Sequence, residues 1–241
     1  MRKTIARVMN LLAQRIKKGD IILVNKPAGW SSYKVVDKVK RWFKVKKAGH
    51  GGTLDPFATG LLVVATGKKT KELSKISQLD KEYEGIMELG AITSSFDPET
   101  EIVERRPLDG ITEERIKDTV KYFIGEIEQV PPMYSAVKHK GKPLYELARK
   151  GIVIERKPRK VKIYDFQILD IKLPQVYFRV RCSKGTYIRS LVHDFGEKLG
   201  CGAYLKSLVR TRIGDFKLDD ALTIEELKKI STESGSSKEH T

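Results

Sequence analysis

The chain has 241 residues, 40% of them hydrophobic, and 47 Lys and Arg against 31 Asp and Glu give it a formal net charge of +16. This length and composition allow a substantial core, which excludes a largely disordered protein. The positive charge predicts a polyanionic partner, most simply a nucleic acid. Because no apolar run approaches a membrane span of roughly 18 residues and no secretion signal is present, we expect a soluble, cytoplasmic protein without a membrane partner.

The first half of the chain opens with a basic segment, residues 1–19, whose apolar residues recur at helical spacing and predict a helix packed on the domain. Residues 21–24 predict a buried strand. A turn at Lys26-Pro27-Ala28-Gly29 follows, and Ser31 or Ser32 is expected to cap a second helix with Lys and Arg on its outer faces.

A glycine-rich loop at residues 49–60 is the most informative stretch. It reads Gly-His-Gly-Gly-Thr-Leu-Asp-Pro-Phe-Ala-Thr-Gly and carries one histidine, His50, and one carboxylate, Asp55. Glycines let a ligand approach the backbone, and Pro56 restricts the chain directly after the acid. A loop of this kind typically positions a catalytic nucleophile or a general base.

The next segments alternate between strands and helices. A buried strand is predicted at 61–66, a helix at 69–76, a half-buried strand through Tyr83, a polar loop at 92–100, and a helix opened by Thr112. Residues 126–151 contain two adjacent prolines and many cations, which favours a protruding basic flap.

The last third of the chain begins with two strands, 159–173 and 176–182, that are close enough in sequence to pair antiparallel. A helix is predicted at 186–199, a strand at 204–213, and a helix from the Thr223-Ile-Glu-Glu226 capping box to about residue 230. The order lacks regular β-α-β alternation, so we predict an α+β fold with a mixed, mainly antiparallel central sheet flanked by helices.

The expected domains are a basic N-terminal extension at 1–19, a catalytic domain at 20–230 that includes the flap at 126–151, and a disordered tail at 231–241. The only cysteines, Cys182 and Cys201, and four scattered histidines have neither zinc-ligand spacing nor a disulfide framework. We therefore expect free thiols, no metal site and a metal-independent chemistry.

Several ordered motifs carry a family resemblance. They are the 49–60 loop, the preceding Asn25-Lys26-Pro27-x-Gly29-x-Ser31-Ser32, Lys81-x-Tyr83, Tyr134-Ser135-Ala136-Val137-Lys138, and Cys182-Ser183-Lys184-Gly185-Thr186-Tyr187-Ile188-Arg189. Together they resemble the bacterial tRNA pseudouridine-55 synthase family (TruB) over residues 20–230. Such a set is far more specific than a single short pattern.

The resemblance implies an enzyme that isomerises one uridine of the tRNA T arm to pseudouridine without metal or organic cofactor. It makes Asp55 the catalytic aspartate, Tyr83 the aromatic residue that packs on the target base, and Arg189 the partner of the Asp55 carboxylate. His50 is then the residue that helps to open the T loop. Lys26, Tyr187 and Lys138 are further candidates for RNA contact. The implied partner is the T stem-loop of tRNA, with no obligate protein partner and a monomeric enzyme.

Elementary chemistry agrees with these roles. Uracil must leave C1′, rotate and rejoin through C5, and an ionised carboxylate can attack either the ring or the sugar and later depart. The sequence leaves open whether Asp55 attacks C6 or C1′. Extrusion of the base costs a few kcal/mol of stacking and pairing, which a side chain such as His50 could offset by filling the gap.

Each candidate residue also has a plainer interpretation. An Asp before Pro is often a turn former, Tyr83 could be a core aromatic, and Arg189 a solvated helix residue. His50 could be an ordinary loop histidine, and Lys26 a residue that shapes the loop behind the site. Only the whole set of motifs favours catalysis.

Three rival functions remain open at this point. A guide-RNA-dependent pseudouridine synthase shares the aspartate loop, but Pro56 and the residue 133–151 motif favour the stand-alone bacterial enzyme. A non-catalytic tRNA-binding or folding protein could use the same basic surface. A metal-dependent nuclease would need clustered carboxylates, which this sequence lacks. Many TruB members continue into an RNA-binding domain of the PUA type, and we expect none here.

Overall fold

The computed structural model describes the main chain of residues 2–233 and the side chains of residues 6–233. The predicted tail at 231–241 therefore lies mostly outside the described residues. The helices are α1 (Arg2–Lys18), α2 (Ser32–Phe43), α3 (Leu73–Gln78), α4 (Glu113–Val120), α5 (Leu144–Ala148), α6 (Ile188–Leu199) and α7 (Ile224–Glu233). Short 3-10 helices span Gly67–Glu72, Lys121–Phe123 and Leu218–Asp220.

The described residues also form thirteen strands. They are β1 (Ile21–Lys26), β2 (Ala48–His50), β3 (Thr59–Thr66), β4 (Lys81–Leu89), β5 (Ala91–Thr93), β6 (Ile102–Arg105), β7 (Gly125–Gln129), β8 (Lys138–His139), β9 (Lys142–Pro143), β10 (Arg159–Lys172), β11 (Gln175–Cys182), β12 (Ala203–Ile213) and β13 (Phe216–Lys217). The chain divides into two compact units, one formed by residues 1–81 and 209–241 and the other by residues 82–208.

The first unit is built around β3. This strand pairs antiparallel with β1 and β2, and parallel with the end of β12, where Arg210 lies opposite Gly60. Leu62 and Val64 pack into a cluster with residues of α1, α2 and α7, whereas Leu61 and Val63 belong to a second cluster on the other face. Burial on both faces explains why β3 is a continuous apolar run.

The N-terminal helix α1 packs on this unit, as predicted. Ala13 and Ile16 are fully buried in the cluster, and the Thr66 hydroxyl donates a hydrogen bond of 2.7 Å to the Ile16 carbonyl. The α2 prediction is also confirmed: the Ser31 hydroxyl caps the helix by accepting from the Lys34 amide at 3.1 Å. At α7, Thr223 and Glu226 form the predicted capping box, and the helix continues to Glu233.

In the second unit the strand order is β4-β11-β10-β7, with the first part of β12 beside β4. β10 pairs antiparallel with β11 and with β7. The Phe166 ring contacts both Phe178 and Phe195 with centroid separations of 5.7 Å, which joins α6 to the strands. The α+β fold with a mainly antiparallel sheet is thus confirmed.

Two sequence predictions need correction. Residues 126–129 of the predicted flap belong to strand β7, whose pairing with β10 runs from Gly125 opposite Ile163 to Gln129 opposite Arg159. Of the predicted polar loop at 92–100, residues 92–93 belong to β5, and the polar residues Thr93, Ser95 and Asp97 are buried. The first error arises because Glu126 and Glu128 are exposed residues of an edge strand, where charge does not exclude a strand. In the second segment, local polarity does not reveal polar side chains that find their partners inside the fold.

Cys182 and Cys201 are buried free thiols, as expected. No described helix has both the length and the apolar character to cross a membrane.

Candidate active site

The Asp55 loop lies in the first unit, between β2 and β3. The Asp55 carbonyl accepts a hydrogen bond from the Ala58 amide at 3.2 Å, and the Pro56 carbonyl accepts one from the Gly29 amide at 2.8 Å. Leu54 and Ala58 are buried on either side of the acid, which itself is partly exposed. The main chain around Asp55 is therefore fixed on both sides while the carboxylate side chain retains access to solvent.

Lys26 holds this loop from within. Its side chain is fully buried at the end of β1, and its ammonium group donates to the carbonyls of Pro27, Trp30 and Pro56 at 3.0, 2.6 and 3.2 Å. An ammonium group has three N–H donors, and these three carbonyls can accept them all. The geometry matches the plainer expectation that Lys26 shapes the loop.

Ser32 also holds the loop through buried hydrogen bonds. Its hydroxyl donates to the Leu54 carbonyl at 3.1 Å and accepts from the Leu54 amide at 2.9 Å. The serine is buried, so both polar groups of Leu54 are satisfied away from water. Ser31 caps the helix and Ser32 faces the loop, which explains why the motif contains two serines.

Arg210 is a buried residue that contacts this loop and that the sequence analysis missed. Its guanidinium is 1% exposed and donates to the carbonyls of Leu61, Thr53 and Gly52 at 2.8, 3.2 and 3.0 Å. These acceptors lie on both sides of Asp55 in the chain. A charged residue at an inward position of a strand was the signal that could have revealed it, because arginine is rarely buried without partners.

Gly60 allows this arrangement. It has a φ of +98°, and a Cβ atom placed on it would lie 2.5 Å from the main-chain carbonyl oxygen of Arg210 and 2.8 Å from the main-chain nitrogen of the same residue. Any larger residue would push β3 away from the strand that carries the guanidinium. The glycine at this position therefore serves the close approach of two backbones.

His50 ends β2, five residues before Asp55. Its ring is half-buried, and Nδ1 accepts a hydrogen bond from the Gly52 amide at 3.4 Å, which leaves the ring proton on Nε2 of the neutral form. Burial lowers the pKa of His50 below its usual value, and the positive charge of Arg210 lowers it further. The imidazole is consequently neutral at pH 7.

Tyr83 and Arg189 lie in the second unit. Tyr83 is a buried residue of β4, on the strand face that also carries Met87. Arg189 is the second residue of α6 and is 3% exposed, and it donates to the carbonyls of Ser95 and Tyr134 at 3.1 and 2.8 Å. The plainer interpretation of Arg189 as a solvated helix residue is therefore wrong.

Asp97 is a further partner of Arg189 that the sequence analysis missed. Its Oδ2 atom lies 3.2 Å from Arg189 Nη1, and Oδ1 accepts from the Ser95 hydroxyl at 2.6 Å and the Glu99 amide at 2.9 Å. Asp97 is 1% exposed, so the ion pair is shielded from water. The turn between β5 and β6 thus fixes the position of the Arg189 guanidinium.

Tyr187 and Lys138 complete the predicted set. The main chain of Tyr187 exchanges two hydrogen bonds with the side-chain amide of buried Gln129, at 2.7 and 3.0 Å, and its own side chain is half-exposed. Lys138 is exposed at the start of the β8-β9 hairpin. Both residues belong to the second unit.

No group of three or more His, Cys, Asp or Glu side chains within the described part of the chain could hold a metal ion. The metal-independent reaction stays a prediction.

Comparisons with known proteins decide the family. Residues 40–188 match the model for the N-terminal domain of TruB family pseudouridylate synthases, and residues 189–240 match that for the tRNA pseudouridylate synthase B C-terminal domain. The chain belongs to the TruB family of pseudouridylate synthases. The predicted family and enzyme class are thereby confirmed, while the predicted domain boundaries stay predictions.

Curated relatives of this TruB family chain support the same assignment. A tRNA pseudouridine synthase B of Chloroherpeton thalassium is 49% identical over 218 residues, which cover 88% of this chain and 90% of that relative. Another tRNA pseudouridine synthase B, of Chlorobaculum tepidum, is 49% identical over 87% of this chain and 89% of the relative.

Two solved structures are also similar. A chain of a Cbf5-Nop10-Gar1 complex superposes with a TM-score of 0.69 at 33% identity and covers 90% of this TruB family chain. An H/ACA RNP bound to a substrate RNA gives a TM-score of 0.66 at 32% identity over 89% of it. Only 60% and 53% of those two chains are matched.

Proposed function

We propose that this protein is a stand-alone tRNA pseudouridine synthase that isomerises uridine 55 in the T arm of tRNA. The names of the curated relatives support tRNA as the substrate. The net charge of +16 supports a polyanionic partner. The single observation that carries the proposal is the Asp55 loop, where a partly exposed carboxylate sits on a backbone held by buried Lys26, Ser32 and Arg210.

Asp55 is the catalytic carboxylate in this proposal. It attacks either C6 of the uracil ring or C1′ of the ribose, and the bond from N1 to C1′ breaks. After rotation, C5 bonds to C1′, the C5 proton is lost, N1 gains a proton, and Asp55 is released. The reaction is an isomerisation, so its atoms and electrons balance without a further reactant.

Other residues take supporting roles in the proposal. Tyr83 packs on the target base, Arg189 is the cationic partner of the carboxylate, and neutral His50 fills the space that the everted nucleotide leaves. Tyr187 and Lys138 contact the RNA. Lys26, which is fully buried, positions the loop and does not itself reach the RNA backbone.

The stand-alone enzyme is favoured over a guide-RNA-dependent subunit by the comparisons. Identity is 49% over 90% of a curated tRNA pseudouridine synthase B, against 33% over 60% of the Cbf5 complex chain. The protein alone should therefore convert an unmodified tRNA transcript without guide RNA, partner protein or added metal. Mapping of pseudouridine to a single T-arm position would support the proposal. Absence of product with the wild-type protein, despite tRNA binding, would support a non-catalytic tRNA-binding protein instead.

A further inference from the structure

The first unit exposes a lysine-rich surface outside the Asp55 loop, and we propose that it binds the phosphate backbone of the substrate RNA. This inference rests on the proposed function. We call it the Gly67 surface, and it comprises residues 15–20, 44–47 and 67–75. Its exposed cations are Arg15, Lys17, Lys18, Lys44, Lys46, Lys47, Lys68, Lys69, Lys71 and Lys75.

The three segments meet at Gly67. The Gly67 amide donates to the Lys47 carbonyl at 2.9 Å, which joins the second segment to the third. Gly67 has a φ of +52°, and a Cβ atom there would lie 3.1 Å from both the Lys18 carbonyl oxygen and the Gly19 Cα. Gly19 has a φ of +125°, and its Cβ would approach the Lys68 amide to 3.2 Å. Two facing glycines thus bring lysine-bearing segments into backbone contact.

The surface carries few compensating acids. Asp20 and Glu72 are the acidic residues of these segments, and each is already engaged, Asp20 with Arg15 at 2.9 Å and Glu72 with Lys69 at 2.6 Å. Exposed ion pairs of this kind contribute little to stability. The surface therefore keeps a large positive charge, which repels itself in the absence of an anion.

Fold stability accounts for only part of this clustering. Lys17 and Lys18 lie at the C-terminal end of α1, where a cation is favourable because of the helix dipole. Lys68 and Lys69 lie instead at the beginning of the 3-10 helix Gly67–Glu72, where unpaired amide groups already carry partial positive charge. Lys44, Lys46 and Lys47 lie beyond the end of α2. An external polyanion explains all three positions together.

The Gly67 surface continues directly into the proposed site. Strand β2 follows Lys47 and ends at His50, so the two residues are separated by three residue steps of extended chain, roughly 10 Å. Gly49 and Gly51 pack against Leu73 and Ile76 of α3, which fixes the third segment beside this strand. RNA whose everted uridine reaches the loop at 50–55 therefore passes close to these lysines.

Phosphate is the chemistry that such a surface recognises. Exposed lysines act as flexible point charges that bind phosphate without reading a base, and each contact releases a counterion. The surface should thus contribute affinity and salt dependence, and leave the chemical step unchanged.

The test compares two double variants in the full chain. Lys68→Gln/Lys71→Gln removes two charges from the Gly67 surface. The control, Lys117→Gln/Lys121→Gln, also removes two exposed lysines. Lys117 lies in α4 and pairs with Glu113, and Lys121 directly follows α4 and pairs with Asp118. Binding of unmodified tRNA is measured from 0.05 to 0.3 M salt, alongside kcat. For the first variant we expect Kd to rise about tenfold at 0.1 M salt and the slope of log K against log salt to fall by about 1.5.

The control variant should keep the wild-type Kd within about twofold, and both variants should keep the wild-type kcat at saturating tRNA. Equal Kd and equal salt slope for the two variants would overturn the proposal that the Gly67 surface binds the RNA backbone. Loss of binding to anionic lipid vesicles with unchanged tRNA binding would also overturn it, in favour of a membrane contact. If the wild-type protein forms no pseudouridine, the proposed function fails instead, and the salt slopes still report on the surface.

Discussion

Arg189 and Asp97 form an ion pair inside the second unit, with Nη1 and Oδ2 3.2 Å apart and side chains only 3% and 1% exposed. The two residues are 92 positions apart in the chain. The guanidinium that the family resemblance assigns to catalysis is thus held by a carboxylate from a turn of the structure. The pairing also makes the turn between β5 and β6 part of the support for the Arg189 guanidinium.

Asp97→Ala should destabilise the protein strongly. Removal of one member of a buried pair leaves an uncompensated charge and costs about 3 to 5 kcal/mol. Urea unfolding measures the change. The matched control is Glu84→Ala, which removes the exposed pair with Arg179 and should cost less than about 1 kcal/mol. Equal losses for the two variants would contradict a tightly held Arg189.

Lys26→Met should lower kcat by about tenfold or more, because the carbonyls of Pro27, Trp30 and Pro56 lose their donor while the side-chain volume is preserved. Steady-state kinetics with tRNA measure this, and KM should change less than kcat. Lys34→Met is the control in the same unit, since Lys34 is exposed and lies over the Trp30 ring at 4.3 Å. A direct RNA contact by Lys26 would instead show as a rise in KM at unchanged kcat.

Arg210→Met should raise the pKa of His50, because the positive charge of Arg210 is one cause of its lowered value. Titration of the His50 ring by NMR reports the change. Arg210→Lys keeps the charge and should leave that pKa near the wild-type value, yet lower kcat, because an ammonium group lacks the fork that reaches three carbonyls. A wild-type kcat for both variants would sink the loop-positioning role.

Asp194→Asn tests the pH dependence of stability. Burial raises the pKa of Asp194 to about 6, and the charge of Glu197 acts in the same direction. Because the carboxyl binds its proton more tightly in the folded protein than in the unfolded chain, whose pKa is near 4, the contribution of Asp194 to stability is most favourable below pH 4. This contribution is lost as pH rises through about 6. The variant should therefore gain stability relative to wild type between pH 4 and pH 7.

Unfolding in urea at both pH values gives this difference. His50 and His193 have lowered pKa values and act with the opposite sign, since their stabilisation is lost as pH falls below 6.5. Both histidines are present in each protein, so the comparison cancels their effect. If the free energy of unfolding of Asp194→Asn differed from that of wild type by the same amount at pH 4 and at pH 7, the raised pKa of Asp194 would be contradicted.

The sequence predicted the elements whose signals are local and periodic. The stripe through Val35, Val39 and Phe43 identified α2, and the alternation through Tyr83 and Met87 identified β4, because each pattern directly reports which face is buried. The Asp55 loop was identified from its motif, and the catalytic role of Asp55 remains a prediction.

The missed contacts join residues far apart in the chain. Arg210 reaches the Thr53 carbonyl across 157 positions, and Gln129 reaches Tyr187 across 58. Buried polar side chains carry no periodic signal, since hydrogen bonding rather than polarity decides whether they can be inside. The start of the flap was predicted to be a loop for a different reason, since the exposed charges of Glu126 and Glu128 lie on an edge strand, β7.

The most direct measurement of the central claim uses tRNA with tritium at C5 of uridine, because formation of the C5 to C1′ bond expels that hydrogen. Wild-type protein alone should release tritium from a single T-arm uridine without added metal. Asp55→Asn should bind the same tRNA with a Kd within about twofold of wild type and release none. Wild-type rates of release by Asp55→Asn would contradict the assignment of Asp55 as the catalytic carboxylate.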